Sequence, residues 1–169
     1  MAFLLMSPDI PPQSVIDPPY VFQACNGKNL SPELRWSGAP EGTKSYAITV
    51  YDPDAPTGSG WWHWQVYNIP ATATQLQRGA SSSEIALPPG TKQGINDYSQ
   101  LGYGGPCPPS GGGTHHYVFT IYALKIAHLE LNANASGALI GFSINANMLA
   151  KASFTALYSY NARPGKTGK

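Results

Sequence analysis

The sequence predicts a loop-rich, mainly β domain, and three observations carry that reading. The 18 glycines and 16 prolines make up about a fifth of the 169 residues and fall mostly in discrete clusters, punctuation that suits many strands joined by elaborate loops. Segments 45–51, 61–69 and 117–124 are dense in β-branched and aromatic residues, the side chains that fit a pleated, half-buried surface. Apolar residues are 42% of the chain and include four Trp, ten Tyr and five Phe, enough for a packed core and too aromatic for a disordered segment. At this length one core is expected, so the whole of 1–169 reads as a single domain.

Residues 1–19 read as an N-terminal arm. Pro8, Pro11, Pro12, Pro18 and Pro19 each fix φ and remove a backbone donor, so the arm is expected to be extended. Asn26-Gly27 signals a turn, and Leu34-Arg35-Trp36 is a short strand candidate. The strand at 45–51 stops at Asp52-Pro53, and Thr57-Gly58-Ser59-Gly60 turns the chain into the strand at 61–69, which Pro70 ends. Segment 71–101 is polar and reads as loop with short strands. Residues 102–114 contain six glycines and three prolines, which excludes a helix or a central strand. A buried strand follows at 117–124. Ser136 is a helix cap candidate, and Leu139, Ile140, Ile144 and Met148 keep helical spacing, so a helix is expected over 136–150. Phe154, Ala156, Tyr158 and Tyr160 alternate, as a closing strand would. Residues 161–169 form a basic tail.

Charge and hydropathy exclude several function classes. Ten Lys/Arg against nine Asp/Glu give a formal charge of +1, without the basic patch a nucleic-acid footprint needs. No apolar run reaches the roughly 18 residues of a membrane span. The apolar run at 2–6 has no basic residues before it and is too short for a signal peptide, so the expected location is cytoplasmic, or periplasmic if the chain is a mature form. Walker, G-x-S-x-G, H-E-x-x-H and paired C-x-x-C motifs are absent.

Three strand ends deliver polar residues. Asp52-Pro53-Asp54-Ala55-Pro56 holds two carboxylates on a proline-stiffened loop; the plainer reading is a turn with Asp as a turn residue. His63 lies within Trp61-Trp62-His63-Trp64, where it is either a donor to an anion or a hydrogen-bonded core histidine. The run from Gly104 through Pro109 and on to His115-His116-Tyr117 combines glycines, which let a ligand approach the backbone, with prolines that stiffen the loop. A long loop without its own secondary structure is usually functional or disordered, and the prolines argue for the former. Asp52, His63 and His115 have the residue types of a two-His, one-carboxylate metal site, but nothing in their spacing demands one; no metal and no cofactor is assigned.

These motifs together resemble the phosphatidylethanolamine-binding protein (Raf kinase inhibitor-like) family, in its bacterial branch. The resemblance runs from about residue 20 to 160. It rests on Asp52-Pro53-Asp54-Ala55-Pro56, the Trp-x-His of Trp61 and His63, Gly105-x-x-Pro108-Pro109, His115-x-Tyr117, and Asn29-Leu30-Ser31-Pro32 with Trp36. It implies a fold of two antiparallel sheets with short helices, and a pocket for phosphate, acetate or phosphoethanolamine-like head groups. By position, Asp52, Asp54, His63, Pro108, His115 and Tyr117 would line that pocket beside Pro109, with Pro56 and Trp61 as walls and Gly105 at the rim. His63, His115 and Tyr117 are the expected donors, Asp52 the group that fixes one imidazole's tautomer, and Asp54 an acceptor for an ammonium. His116 stands where the family usually has Arg, which lowers the local positive charge. Cys25 and Cys107 sit where bacterial relatives carry cysteine, as a disulfide, a redox-sensitive thiol pair or two small buried hydrophobes.

The function expected is a non-enzymatic binding protein for a small phosphorylated or carboxylate ligand, with a kinase or protease as the protein partner if it regulates one, and a homodimer as a further option. The alternative is a hydrolase using Asp52 with His63 or His115 as acid and base, with Cys107 as its one candidate nucleophile.

Overall fold

A computed structural model describes residues 1–83 and 86–162. Two antiparallel sheets form the body. The smaller, in the order β1-β2-β5, consists of Leu4–Met6, Leu34–Ser37 and Gln75–Leu76. The larger, in the order β6-β4-β3-β7-β8, consists of Lys92–Gln93, Trp61–Pro70, Ser45–Asp52, Thr114–Leu124 and Met148–Ser159. Among the described residues one α-helix, α1 (Gly137–Ala146), lies between β7 and β8 in the chain.

The central strand β3 is buried on both faces, and this explains why it carries an unbroken apolar and β-branched run rather than a clean alternation. One face contributes Tyr46, Ile48 and Val50 to the main core with Leu34, Trp36, Trp64, Val66, Tyr117, Phe119 and Ile121. The other contributes Ala47 to a smaller core with Tyr67, Leu124, Leu129, Ile140 and Ile144, beneath α1. Phe119 and Phe154 stack across β7 and β8 with ring centroids 4.8 Å apart.

Two expectations are corrected in their bounds. The helix ends at Ala146 rather than 150: Asn147, at φ −121°, leaves helical geometry and Met148 already opens β8. The helical spacing of Leu139, Ile140 and Ile144 ran into Met148 only because the next strand happens to begin with an apolar residue. The closing strand therefore starts six residues before Phe154, and Tyr160 falls in a 3-10 turn (Tyr160–Ala162). The N-terminal arm, expected to be extended, holds β1 near its start but bends at 8–10, turns at 12–13 with Gln13 at φ 61°, and ends in a 3-10 turn at Pro18–Tyr20. The basic tail lies, from residue 163 on, outside the described residues.

Candidate functional site

The site is assembled where β3, β4 and β7 end together. Between Val50↔Trp64 and Tyr51↔Trp62 the pairing of β3 and β4 advances one residue on β3 and two on β4. His63 is therefore the extra residue of a β-bulge, a device that re-aims a side chain. Its ring contacts Tyr117 at 5.1 Å and Tyr98 at 5.7 Å between centroids, both edge-on. Its Nδ1 stands 2.7 Å from the Gly104 carbonyl oxygen, and Gly104 N–H donates back to the His63 carbonyl at 2.9 Å. A carbonyl only accepts, so His63 Nδ1 carries the proton and, in the neutral ring, Nε2 carries the lone pair. Complete burial lowers the His63 pKa to about 4, against the smaller raising effects of the Gly104 carbonyl and the Asp52 charge.

Asp52, the last residue of β3, and His115, near the start of β7, are both buried and meet at 2.7 Å, Oδ2 to Nδ1. The carboxylate fixes the His115 ring as the Nδ1–H form and leaves Nε2 for other partners. Asp52 Oδ1 accepts from the Asp54 backbone N–H at 2.8 Å, the Asx-type turn the Asp-Pro-Asp spacing allows. Asp54 itself turns elsewhere: its Oδ2 accepts from both the backbone N–H (2.8 Å) and Nδ1 (2.7 Å) of His116. The hydrogen bond from His116 is the main reason the Asp54 carboxyl sits below its usual pKa. His116 thus engages the second carboxylate at the surface.

The Gly/Pro loop forms the facing wall. A Cβ at Gly105 would lie 2.3 Å from the Tyr20 carbonyl oxygen and 2.7 Å from the Phe22 nitrogen, so only glycine lets this loop lie against segment 20–22. Asn29 Oδ1 accepts from Gly105 N–H at 2.7 Å, Pro106 C=O accepts from Phe22 N–H at 3.1 Å, and Tyr98 O–H donates to the Gly105 carbonyl at 2.8 Å. A disulfide between Cys107 and Cys25, with Cα atoms 5.6 Å apart, ties the same loop to the 3-10 turn Gln23–Cys25.

These elements enclose a cavity of about 300 Å³, at the small end for a small-molecule site. Of the residues singled out in the sequence, Asp52, Pro56, Trp61, His63, Pro108, Pro109, His115 and Tyr117 line it together, and Cys107 joins them. Asp54 and Gly105 do not line it: Asp54 is paired with His116 at the surface, and Gly105 is packed on residues 20–22. Tyr98 lines the cavity and was not singled out in the sequence; it lies in the polar 71–101 segment, positioned by Asn96 Oδ1 accepting its N–H at 2.9 Å. Burial raises the pKa of both Tyr98 and Tyr117, with the Asp52 charge adding to it, so both stay neutral donors. None of the lining residues described is lysine or arginine. Among the described residues no group of three His, Cys, Asp or Glu is placed to hold a metal ion. No helix among them is long and apolar enough to cross a membrane.

Comparison with known proteins bears out the fold. The chain is 51% identical over 160 residues to the YbcL protein of Escherichia coli K12, an alignment covering 93% of this chain and 87% of the relative. It superposes on the crystal structure of E. coli YbcL with a TM-score of 0.91 at 49% identity, covering 94% and 99% of the two chains. A putative phosphatidylethanolamine-binding protein homologue from Chlamydia trachomatis superposes with a TM-score of 0.79 at 29% identity, covering 94% and 97%. The family model described as phosphatidylethanolamine-binding protein matches residues 6–159, and the chain, built on two antiparallel sheets, belongs to that family.

Proposed function

We propose that the cavity binds a small phosphate-bearing ligand, and that the protein works by binding rather than by catalysis. The observation that carries this reading is the convergence of His63, His115, Asp52 and Tyr117 on one small, stiffly built concavity, the usual character of a binding site for a small polar ligand. The side chains that a covalent mechanism would need are otherwise engaged. Cys107 is bonded to Cys25, and the Thr57 hydroxyl donates to the Gly60 carbonyl at 2.6 Å. Titration of isotope-labelled full-length protein with inorganic phosphate and with phosphoethanolamine tests the reading. Saturable shifts at His63, His115 and the amides of 104–117 are expected; their absence with both compounds overturns it.

A second reading is favoured by one distance. The buried Asp52–His115 pair at 2.7 Å is the orienting half of a general-base dyad, so water activation by His115 Nε2 is the hydrolytic alternative. Turnover of phosphate or acyl esters that disappears in His115→Ala would establish it, and turnover unchanged in that variant would assign the activity to a contaminant.

The Cys25–Cys107 bond favours the periplasmic alternative over the cytoplasmic one, because structural disulfides persist in oxidising compartments. Intact mass with and without reductant, on protein taken from each compartment, checks it: a two-proton difference is expected for the periplasmic sample.

A further inference from the structure

We propose that His63 sets the proton count of the ligand: the cavity accepts an oxyanion that still carries a proton and discriminates against one that carries none. The inference rests on the phospho-ligand reading above and adds to it the hydrogen-bonding sense that the pocket demands.

The argument is geometric. His63 has a neutral carbonyl behind it, that of Gly104 at 2.7 Å, so the single proton of the neutral ring is fixed on Nδ1. The remaining nitrogen available to a ligand, Nε2, is an acceptor. His115 differs because a carboxylate stands behind it, and a second proton there completes an ion pair. A second proton on His63 would make a fully buried cation.

The charged and titratable groups around His63 do not rescue that cation. Asp52 on β3 already accepts from Asp54 N–H and from His115. Asp97, in the segment before Tyr98, accepts from Trp62 N–H at 2.7 Å. Tyr98 and, on β7, Tyr117 are neutral, and His115 contributes no negative charge. Burial therefore prevails over these partners, and the ring remains neutral well below pH 7. No lysine or arginine lines the described cavity to override the pattern. An anion made only of acceptors then sets a lone pair against the His63 lone pair, whereas a P–OH donates to it. Leaving buried polar groups mismatched is what gives hydrogen-bonding sites their largest discrimination.

Three probes of similar size separate the possibilities. Sulfate has no proton near neutrality. Inorganic phosphate keeps at least one at pH 6 and at pH 8. Methyl phosphate, with a second pKa of about 6 as for other phosphomonoesters, is about half protonated at pH 6 and almost wholly deprotonated at pH 8. Each is titrated into labelled full-length protein at both pH values.

Sulfate is expected to bind at least about tenfold more weakly than inorganic phosphate at both pH values. Methyl phosphate is expected to lose about fiftyfold in affinity between pH 6 and 8, the fall in its monoanion fraction, while inorganic phosphate loses much less. Loss of a proton from the protein would weaken methyl phosphate and inorganic phosphate, which carry similar charge at pH 8, to a similar degree, so their ratio is the readout. His63→Gln, whose amide can present either a donor or an acceptor, should bring the ratios close to one. If that variant does not fold, the wild-type ratios decide alone.

Sulfate within about threefold of phosphate, methyl phosphate tracking inorganic phosphate, or a folded His63→Gln that keeps the discrimination overturns the proposal and leaves the phospho-ligand reading standing. No pocket shifts with any of the three overturns both.

Discussion

Reducing the Cys25–Cys107 bond tests what holds the cavity's outer wall and how much the cross-link contributes to the fold. The two cysteines are 82 residues apart in sequence. In the chain-entropy account, closing a loop of that length removes about 15 cal/mol/K from the unfolded ensemble, or about 4.5 kcal/mol at 25 °C. For a chain of this size that corresponds to a fall in Tm of about 9–18 °C. The assay is guanidinium unfolding of the same protein with and without reductant, with Cys25→Ala/Cys107→Ala as the non-titrating control. The expected result is a lower ΔG in both reduced protein and variant. Folded-state geometry should change little, because Gly105, Pro106 and Tyr98 retain hydrogen bonds of 2.7, 3.1 and 2.8 Å that fix the loop independently. Phosphate titrations of the reduced protein should therefore still shift the pocket amides at temperatures below its melting. A loss of under about 1 kcal/mol would refute the reasoning, since it would mean the unfolded chain already holds these segments together. A loss of ligand shifts in folded, reduced protein would refute the second half.

Further outcomes follow from other contacts. Because His63 is held near pKa 4 in the fold and has about 6.5 when unfolded, the unfolded state takes up the proton first on acidification; stability should fall by about 2 kcal/mol between pH 7.5 and pH 5 and by about 3 by pH 4, then flatten. Denaturant midpoints across that range check this, and His63→Gln should remove the slope. Gly105→Ala should cost about 2 kcal/mol or more in unfolding assays, because its methyl meets the backbone of Tyr20 and Phe22. Gly112→Ala, whose methyl would stand 3.2 Å from His115 Nε2 and 3.3 Å from the Pro109 carbonyl oxygen, should cost less stability than Gly105→Ala in the same assay and weaken phosphate binding in the titration. Ser136→Ala removes the oxygen that accepts Leu139 N–H at 3.0 Å and should cost about 1 kcal/mol, read from the same unfolding curves.

The parts of this molecule that a reader can find in the sequence are those whose information is local. Strands β3, β4 and β7 announce themselves because their β-branched and aromatic runs are long and end at Asp52, Pro70 and the Gly-rich loop. Asp52, His63, His115 and Tyr117 are legible for the same reason, as polar residues at or near the ends of apolar strands. What the sequence hides is set by distant partners. β1 is three residues with Leu4 and Met6 exposed, so its apolar residues do not alternate. The first half of β8 alternates between partly and fully exposed residues, a contrast too faint to separate it from a continuing helix. Tyr98 reaches the cavity through a network around Asn96 whose bonds run to Gly102 and Tyr98 itself. Asp54 and Gly105 carry the right motif but do not line the cavity, because His116 and segment 20–22 claim them. The bulge at His63 is invisible in one strand read alone, since a bulge exists only in the mismatch between two.

The N-terminal arm has a role beyond tethering. β8 is the outermost strand of the larger sheet. Residues 13–16 of the arm lie along it: Gln13 N–H donates to the Thr155 carbonyl at 2.7 Å, Ile16 N–H to Leu157 at 2.9 Å, and Leu157 N–H to Ser14 at 2.9 Å. Bare sheet edges template the pairing of one molecule with the next, and here Val15 and its neighbours occupy that stretch of edge with a segment whose prolines prevent it from continuing as a full strand. Clipping the arm would uncover the backbone of 155–157, immediately before the Tyr158 that pairs with His115. Loss of a short, surface-lying peptide would thus open a template for intermolecular pairing on the very strand that braces the cavity.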